Sequence, residues 1–126
     1  DEFAVFQNAG YMGLYGGMTV DDIHRKKNLE VGQKILDYMG STELIANLFR
    51  ISQTEEKLRK DGVDSADTAT AVHYKVGSEV REAIEKIGGT MPEDLPTPEK
   101  SIAQLEKEQL QRLKQQALDG QLMLDE

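Results

Sequence analysis

Residues 6–17 read FQNAGYMGLYGG, and the prediction of the fold begins from this stretch. It places four glycines and two tyrosines in twelve positions, although the whole chain has only 4 Tyr, 3 Phe and no Trp. Each glycine costs a helix about 1 kcal/mol relative to alanine, so a close series of them needs a compensating reason. Gly10, Gly13 and Gly16 recur every three residues and would form one smooth ridge on a helix. We therefore interpret the stretch as a packing or recognition element, where the glycine ridge lets another backbone come close.

The sequence around this stretch predicts helices, because apolar residues never alternate at period two as they do in strands. The first helix is expected over residues 3–15. A second begins at Thr19, whose hydroxyl caps it while Asp21 and Asp22 favour the first turn. A short third helical segment is expected over residues 30–38.

Two longer helices are predicted next, over about 42–60 and 65–87, the latter ending at a Gly-Gly pair. The first carries an apolar stripe that we expect to face the core. That stripe comprises Leu44, Ile45, Leu48, Phe49, Ile51 and Leu58, and the opposite side carries Asn47, Arg50, Thr54 and Lys57. We expect the glycine ridge to sit against this helix.

All 3 Pro lie in residues 88–100, and they mark a stiff linker before the last helix. Thr97 is the expected N-cap of that helix and Pro98 its first residue. The prediction is thus an all-α fold, a compact bundle of five to six helices with a proline-marked linker before the last one. We expect a helical core domain over 1–90, a linker over 91–100, and a C-terminal helix and tail over 101–126 that packs on the core or on a partner.

Composition restricts the classes of partner. The net charge is −8, from 23 acidic and 15 basic side chains, and this balance opposes binding to nucleic-acid phosphates. A DNA contact would need one local basic patch. No apolar run reaches the roughly 18 residues of a membrane span, so no membrane partner is expected. The absence of Cys fits a reducing, cytoplasmic location, and the start at Asp1 suggests a piece of a longer protein.

No residue pattern indicates catalysis. The 2 His, His24 and His73, lie about fifty residues apart, and no HExxH or Cys-based metal motif occurs. The glycines of residues 10–17 lack the strand and the lysine that phosphate-binding loops require. We therefore expect no enzyme activity, no metal and no cofactor.

The densest basic cluster is Arg25, Lys26 and Lys27, with Lys34 one or two turns further on. Residues 19–38 have the length and rhythm of a helix–turn–helix, which would make the chain a direct DNA-binding module. The turn lacks its usual glycine, and a solvated surface is the competing interpretation at this net charge. DNA binding is therefore the alternative hypothesis.

Seven polar residues are the predicted contact residues on an exposed surface. They are Arg25, Lys26, Lys27, Lys34, Arg50, Gln53 and Lys57. Arg50 and Gln53 have a second interpretation, in which they tie their helix to the first helix. Polarity and spacing alone support these assignments.

Three strings carry a family resemblance: FQNAGYMGLYGG (6–17), QKILDYMGSTELIANLFRISQTEEKLRKDG (33–62) and GGTMPEDLPTPEKSI (88–102). They resemble the C-terminal region of the bacterial DNA-damage-inducible protein D family, whose members carry a Bro-type, antirepressor-like domain ahead of this region. The resemblance implies a non-enzymatic role in the damage (SOS) response that modulates recombinational repair through protein contacts. It implies a protein partner in repair or recombination, with the recombinase–DNA filament as the candidate. A homodimer through the C-terminal helix is a further expectation.

Overall fold

The computed structural model describes the backbone of residues 1–124 and the side chains of residues 1–120, and this part of the chain contains helices and turns but no strand. The helices are α1 (Glu2–Leu14), α2 (Val20–Lys26), α3 (Ser41–Lys60), α4 (Ala66–Ile87) and α5 (Ile102–Leu124). Two 3₁₀ turns, Ile35–Tyr38 and Pro92–Asp94, lie between them. The all-α prediction is confirmed. The predicted docking of tail residues 121–126 lies outside the described side chains.

Side chains cap the starts of the first two helices, and the cap of the second, Thr19, is the predicted one. The Asp1 carboxylate accepts a hydrogen bond from the backbone N–H of Ala4 at 2.7 Å. At α2, the Thr19 hydroxyl accepts from the N–H of Asp22 at 3.2 Å, and the Asp22 carboxylate accepts from the N–H of Thr19 at 3.0 Å. This reciprocal pair satisfies two backbone donors that a helix start otherwise leaves free.

The predicted helical segment over residues 30–38 is wrong except for its last turn. Gly32 has a φ of +88°, a left-handed conformation that interrupts a right-handed helix. The Gln33 side chain also accepts from the N–H of Glu30 at 2.8 Å, which fixes a turn in place of a helix start. The helix–turn–helix interpretation is therefore wrong, because residues 19–38 contain no second α-helix to enter a DNA groove, only the four-residue 3₁₀ turn Ile35–Tyr38.

The glycine ridge of α1 packs against α4. A Cβ on Gly13 would collide with the backbone carbonyl of Tyr74, and one on Gly77 would lie 2.8 Å from the carbonyl oxygen of Gly10. Gly10 and Gly13 are confirmed as close-packing positions of α1, whereas Gly16, with a φ of +67°, lies beyond the end of the helix. The expectation that the ridge sits against the helix of residues 41–60 is wrong for the backbone contact, which α4 supplies at its own Gly77. Helix α3 has no glycine and reaches Gly10 through the Arg50 side chain.

The core forms where α1, α2 and α4 meet the segment before α3. Leu14, Ile23, Met39, Val76 and Val80 are buried there. The helix predicted over 65–87 is confirmed as α4, with its Val76 and Val80 inside. It ends at Gly88, whose φ of +86° is the left-handed conformation of a helix C-terminus.

The proline-containing segment after α4 is held against the core. Arg81 forms a two-pronged ion pair with Glu93, with both N···O distances at 2.8 Å. The predicted start of the last helix at Pro98 is wrong, since α5 begins at Ile102 and the Ser101 hydroxyl caps it by accepting from Gln104 at 3.1 Å. Beyond its contact with the first 3₁₀ turn, α5 leaves its leucines at 105, 110, 113 and 118 exposed.

Candidate functional site

Helix α3 buries four polar side chains and exposes three residues of its predicted apolar stripe, so the prediction that the stripe faces the core is wrong for those three. Its four inward side chains are each at most 2% exposed, and they are Glu43, Asn47, Arg50 and Thr54. Ile45, Leu48 and Phe49 face outward and are 66%, 50% and 53% exposed. The stripe residues Leu44, Ile51 and Leu58 are half-buried, and Lys57 on the opposite side is exposed. The expectation that Arg50 is an exposed contact residue is therefore wrong.

The first half of the buried network centres on the Glu43 carboxylate. One of its oxygens accepts a very short hydrogen bond from the Tyr15 hydroxyl, and the other lies 3.0 Å from the Lys27 ammonium. Asn47 donates to the Tyr15 hydroxyl at 3.0 Å. Lys27 is 6% exposed, so its predicted place on the surface is also wrong. A buried carboxylate needs a cationic partner, and Lys27 provides it.

The second half of the network centres on the Arg50 guanidinium. It donates to the Asn47 amide oxygen at 3.1 Å and lies 2.8 Å from Nε2 of His73. A guanidinium only donates, so Nε2 of His73 must accept, and its protonated Nδ1 donates to the carbonyl of Phe6 at 2.9 Å. The charge also sits 4.4 Å above the ring of Tyr11. Arg50 thus ties α3 to α1, as the second sequence-based interpretation predicted, and also to α4, which it did not predict. Gln53, which shared that interpretation, is exposed.

Burial sets the protonation states inside this network. It lowers the pKa of His73 to about 4, and the neighbouring charge of Arg50 acts in the same direction, so the imidazole is neutral at pH 7. Burial also raises the pKa of Tyr15, helped by its hydrogen bond to Glu43, so its phenol remains a donor. Each buried side-chain N or O among the described residues has a partner. The geometry supports a structural role for the network.

Lys27 extends the network to the segment before α5. Its ammonium donates to the backbone carbonyl of Pro92 at 2.8 Å and to that of Leu95 at 2.5 Å. Lys27, which follows α2, and Arg81 of α4 therefore fix the same stretch of chain from two sides of the fold. These contacts hold residues 92–95, in the segment that connects α4 to α5, against the core.

A cleft of about 1060 Å³ opens between α1, the start of α2 and residues 32–37. Its walls are apolar, with Val5, Val20 and Leu36 among them, while Gln7 and Lys34 bring polar groups to its lining. Asn8 shapes its floor by accepting from the N–H of Val20 at 2.9 Å. Sequence reasoning missed this cleft because it treated residues 30–38 as a helix, although Gly32 was the signal that a turn was needed.

The seven sequence-predicted contact residues do not share one surface. Lys27 and Arg50 belong to the buried network, and Lys34 lines the cleft. The other four are exposed at two separate places: Arg25 and Lys26 on α2, Gln53 and Lys57 on α3. Three of them form ion pairs, at 2.6 Å from Arg25 to Asp22, 3.7 Å from Lys26 to Asp94, and 2.9 Å from Lys57 to Asp61.

Two further features, a metal-binding cluster and a membrane-spanning helix, are absent from the described residues. No group of three or more His, Cys, Asp or Glu in this part of the chain is arranged to hold a metal ion. None of the described helices has the length and apolarity needed to cross a lipid bilayer.

Comparison with known proteins gives a specific relationship. A protein-family model described as the DinD C-terminal domain matches residues 1–105. Over 105 residues the chain is 61% identical to DNA damage-inducible protein D of Escherichia coli strain K12, a match that covers 83% of this chain and 38% of that relative. The chain thus spans well under half the length of the curated relative. No solved structure matches it.

Proposed function

The chain belongs to the DinD C-terminal domain family, and on this basis we propose that it is a non-enzymatic regulatory domain of a bacterial DNA-damage response protein. The relative's name supports the damage response. The finer proposal is that the domain modulates recombinational repair in the cytoplasm through protein contacts. Its proposed partner is the recombinase–DNA filament, contacted through protein side chains of the recombinase.

The cleft is the observation that carries this proposal. Ligand-binding clefts combine apolar walls with a few polar groups that fix orientation. Here Val5 is 58% exposed and Leu36 is half-buried, while Gln7, Gln33 and Lys34 bring polar side chains to the same cleft. Such a surface suits a short peptide segment, whose apolar side chains enter the cleft while its backbone hydrogen-bonds with the amides.

The placement of the strongly perturbed groups supports a non-enzymatic role. Catalytic acids and bases have shifted pKa values and face a cleft that substrate can enter. The groups with the largest shifts, Tyr15 and His73, are instead at most 2% exposed and hydrogen-bonded inside the network. Their shifts arise from core packing.

A DNA strand-exchange assay with a purified bacterial recombinase tests the proposal. We expect the chain to change the rate of exchange, and Val5→Asp to raise the concentration needed by about tenfold or more, because a carboxylate in an apolar wall loses solvation when a partner docks. Ile87→Asp is the matched control, since Ile87 is 83% exposed and lies outside the cleft. Thermal melting checks that both variants fold.

Two results would contradict the proposal. One is unchanged exchange in the presence of the wild-type chain, and the other is equal loss of effect for Val5→Asp and Ile87→Asp. Binding of the chain to DNA alone is measured in parallel at about 50 mM salt, where phosphate contacts are strongest. We expect none there at micromolar concentrations, because the net charge of −8 repels the DNA backbone.

A further inference from the structure

We propose that the outward face of α3 is a symmetric dimer interface, which packs antiparallel against the same face of a second copy of the chain. The surface is the α3 patch, defined as Ile45, Leu48 and Phe49. None of these residues lines the cleft, so this inference goes beyond the proposed function. The patch is contiguous, because residues three and four apart are neighbours on a helix.

The chain cannot hide the α3 patch by turning the helix. A turn that brought Phe49 inward would carry Arg50 and Glu43 away from His73, Tyr15 and Lys27. Each of those partners would then lie buried without its hydrogen bond, at a cost that exceeds the gain from burying three apolar side chains. A cover for the patch must therefore come from outside the folded core.

The two ends of the same face complement each other in charge. The cap residue of α3 is Gly40, which has no side chain to accept a hydrogen bond from the first N–H groups of the helix. The N–H groups of Ser41 and Thr42 therefore present the positive end of the helix dipole. Glu55 and Glu56 lie toward the other end of the face and are exposed, and Glu56 forms a solvent-exposed ion pair with Arg59 at 3.2 Å, with which a helix N-terminus would compete. A second copy in antiparallel orientation brings its glutamates over this N-terminus.

Helix geometry gives the register of this pairing. With 3.6 residues per turn, a two-fold axis between Leu48 and Phe49 places each of these residues opposite its own copy. Ile45 then faces Ser52 of the second copy, a large side chain against a small one. The same register sets Glu55 opposite Ser41 and Glu56 opposite Thr42, so apolar contacts and charge complementarity agree on one arrangement.

A single helix pair makes a weak dimer. The overlapping part of α3, residues 41–56, is about 24 Å long, and its contact is smaller than the roughly 1,200–2,000 Å² that stable interfaces bury. We therefore expect association in the range of tens of micromolar, so that the chain changes from monomer to dimer with concentration.

Light scattering and sedimentation from about 1 to 200 μM test the proposal. We expect the mean mass of the wild-type chain to rise toward twice that of a monomer, and Phe49→Asp to remain monomeric throughout. Phe3→Asp is the matched control, because Phe3 is 67% exposed on α1 and outside the patch, and it should dimerise as the wild type does. A wild-type chain that is monomeric at 200 μM, or a dimer that Phe49→Asp leaves intact, would overturn the proposal.

Disulfide cross-linking tests the register without relying on a disruptive variant. The chain has no Cys, so Leu48→Cys introduces a single thiol. The two-fold axis brings the two copies of residue 48 together, and mild oxidation should give a covalent dimer. Leu113→Cys on α5 should not cross-link to Leu48→Cys in a mixed sample. If it does, and Leu48→Cys alone does not, the C-terminal helix of the second copy covers the patch and the α3–α3 interface is wrong.

Discussion

Helices α3 and α4 have 20 and 22 residues and pack against each other, yet the fully buried side chains of α3 are all polar, whereas α4 buries two valines beside His73. In α4 the buried positions include Val76 and Val80, as the apolar periodicity predicts. In α3 they include Asn47 and Arg50, while Ile45, Leu48 and Phe49 face outward and Leu44 is half-buried at the edge of the core. Two neighbouring helices of one small domain therefore differ in which side chains they turn toward the interior.

The difference shows what decides which face of a helix is buried. Burial of apolar surface stabilises a fold by about 25 cal/mol per Å², and α4 is oriented so that its valines gain this stabilisation. The inner face of α3 meets Tyr15, Lys27 and His73, which would be buried without partners if α3 presented its leucines. Because an unpaired buried polar group costs 1–3 kcal/mol and a charge costs more, polar complementarity decides the orientation of α3.

The largest effect is expected where α4 depends on close backbone contact. Gly13→Ala places a Cβ against the carbonyl of Tyr74, which cannot move without distorting α4. We expect a loss of about 3 kcal/mol or more in the free energy of unfolding, measured by urea titration. Gly120→Ala has nothing within 4 Å of the added carbon and is the control that should lose nothing. A neutral Gly13→Ala would mean that α1 and α4 do not pack through this ridge.

A loss of about 3 kcal/mol is expected when the polar side of α3 is broken. Arg50→Met keeps the length of the side chain but leaves Asn47 and His73 without their buried donor. Arg59→Met makes the same change on the exposed side, where Arg59 pairs only with Glu56, and should cost less than about 0.5 kcal/mol. Equal stability of the two variants would contradict a buried network.

A smaller effect, about 2 kcal/mol, is expected from pH. Folding holds the pKa of His73 near 4, below its ordinary value of 6.5, so between these values the unfolded chain binds a proton that the folded chain does not. Stability from this group is therefore complete above pH 6.5 and is lost as pH falls toward 4. Between pH 7 and pH 5 the wild type should lose about 2 kcal/mol more than His73→Gln does. Parallel losses in both proteins would show that His73 titrates normally.

The smallest effect is expected on the outward face of α3. Leu48 is half exposed, whereas Leu14 of α1 is fully buried, so the same substitution separates the two environments. Leu48→Ala should cost under about 1 kcal/mol in a dilute, monomeric sample, and Leu14→Ala about 3 kcal/mol. A large loss of stability in Leu48→Ala would place that face in the core, and α3 would then bury apolar residues as α4 does.

The sequence predicted those parts of the fold that follow from local chemistry. The cap at Thr19 and the helix ending at Gly88 depend on residues near in sequence, and the structure confirms them. The glycines at 10 and 13 also signalled a close backbone contact, although the sequence did not predict that α4 makes it. The three family strings also led to the right family. Signals of this kind can be interpreted before the positions of the neighbouring helices are known.

The orientation of α3 and the cleft could not be predicted in the same way. Arg50 pairs with His73, 23 positions away, and Lys27 with Pro92, 65 positions away. A hydrophobic stripe such as Leu44, Leu48 and Ile51 is the only signal available before those partners are known. The cleft depends likewise on how residues 32–37 fold back beside α1, which periodicity does not encode.

Thiol labelling at two adjacent positions of α3 determines which side of this helix is buried. The chain has no Cys, so Gln53→Cys and Thr54→Cys each carry one thiol, the first on an exposed position and the second at a site with 0% exposure. In native protein at about 1 μM, we predict that Cys at 53 reacts with a thiol reagent as a free peptide does, while Cys at 54 reacts at least about 100-fold more slowly, through opening of the fold. Fast labelling at 54 with protection at 53 would show that α3 packs through its other side and would contradict the account.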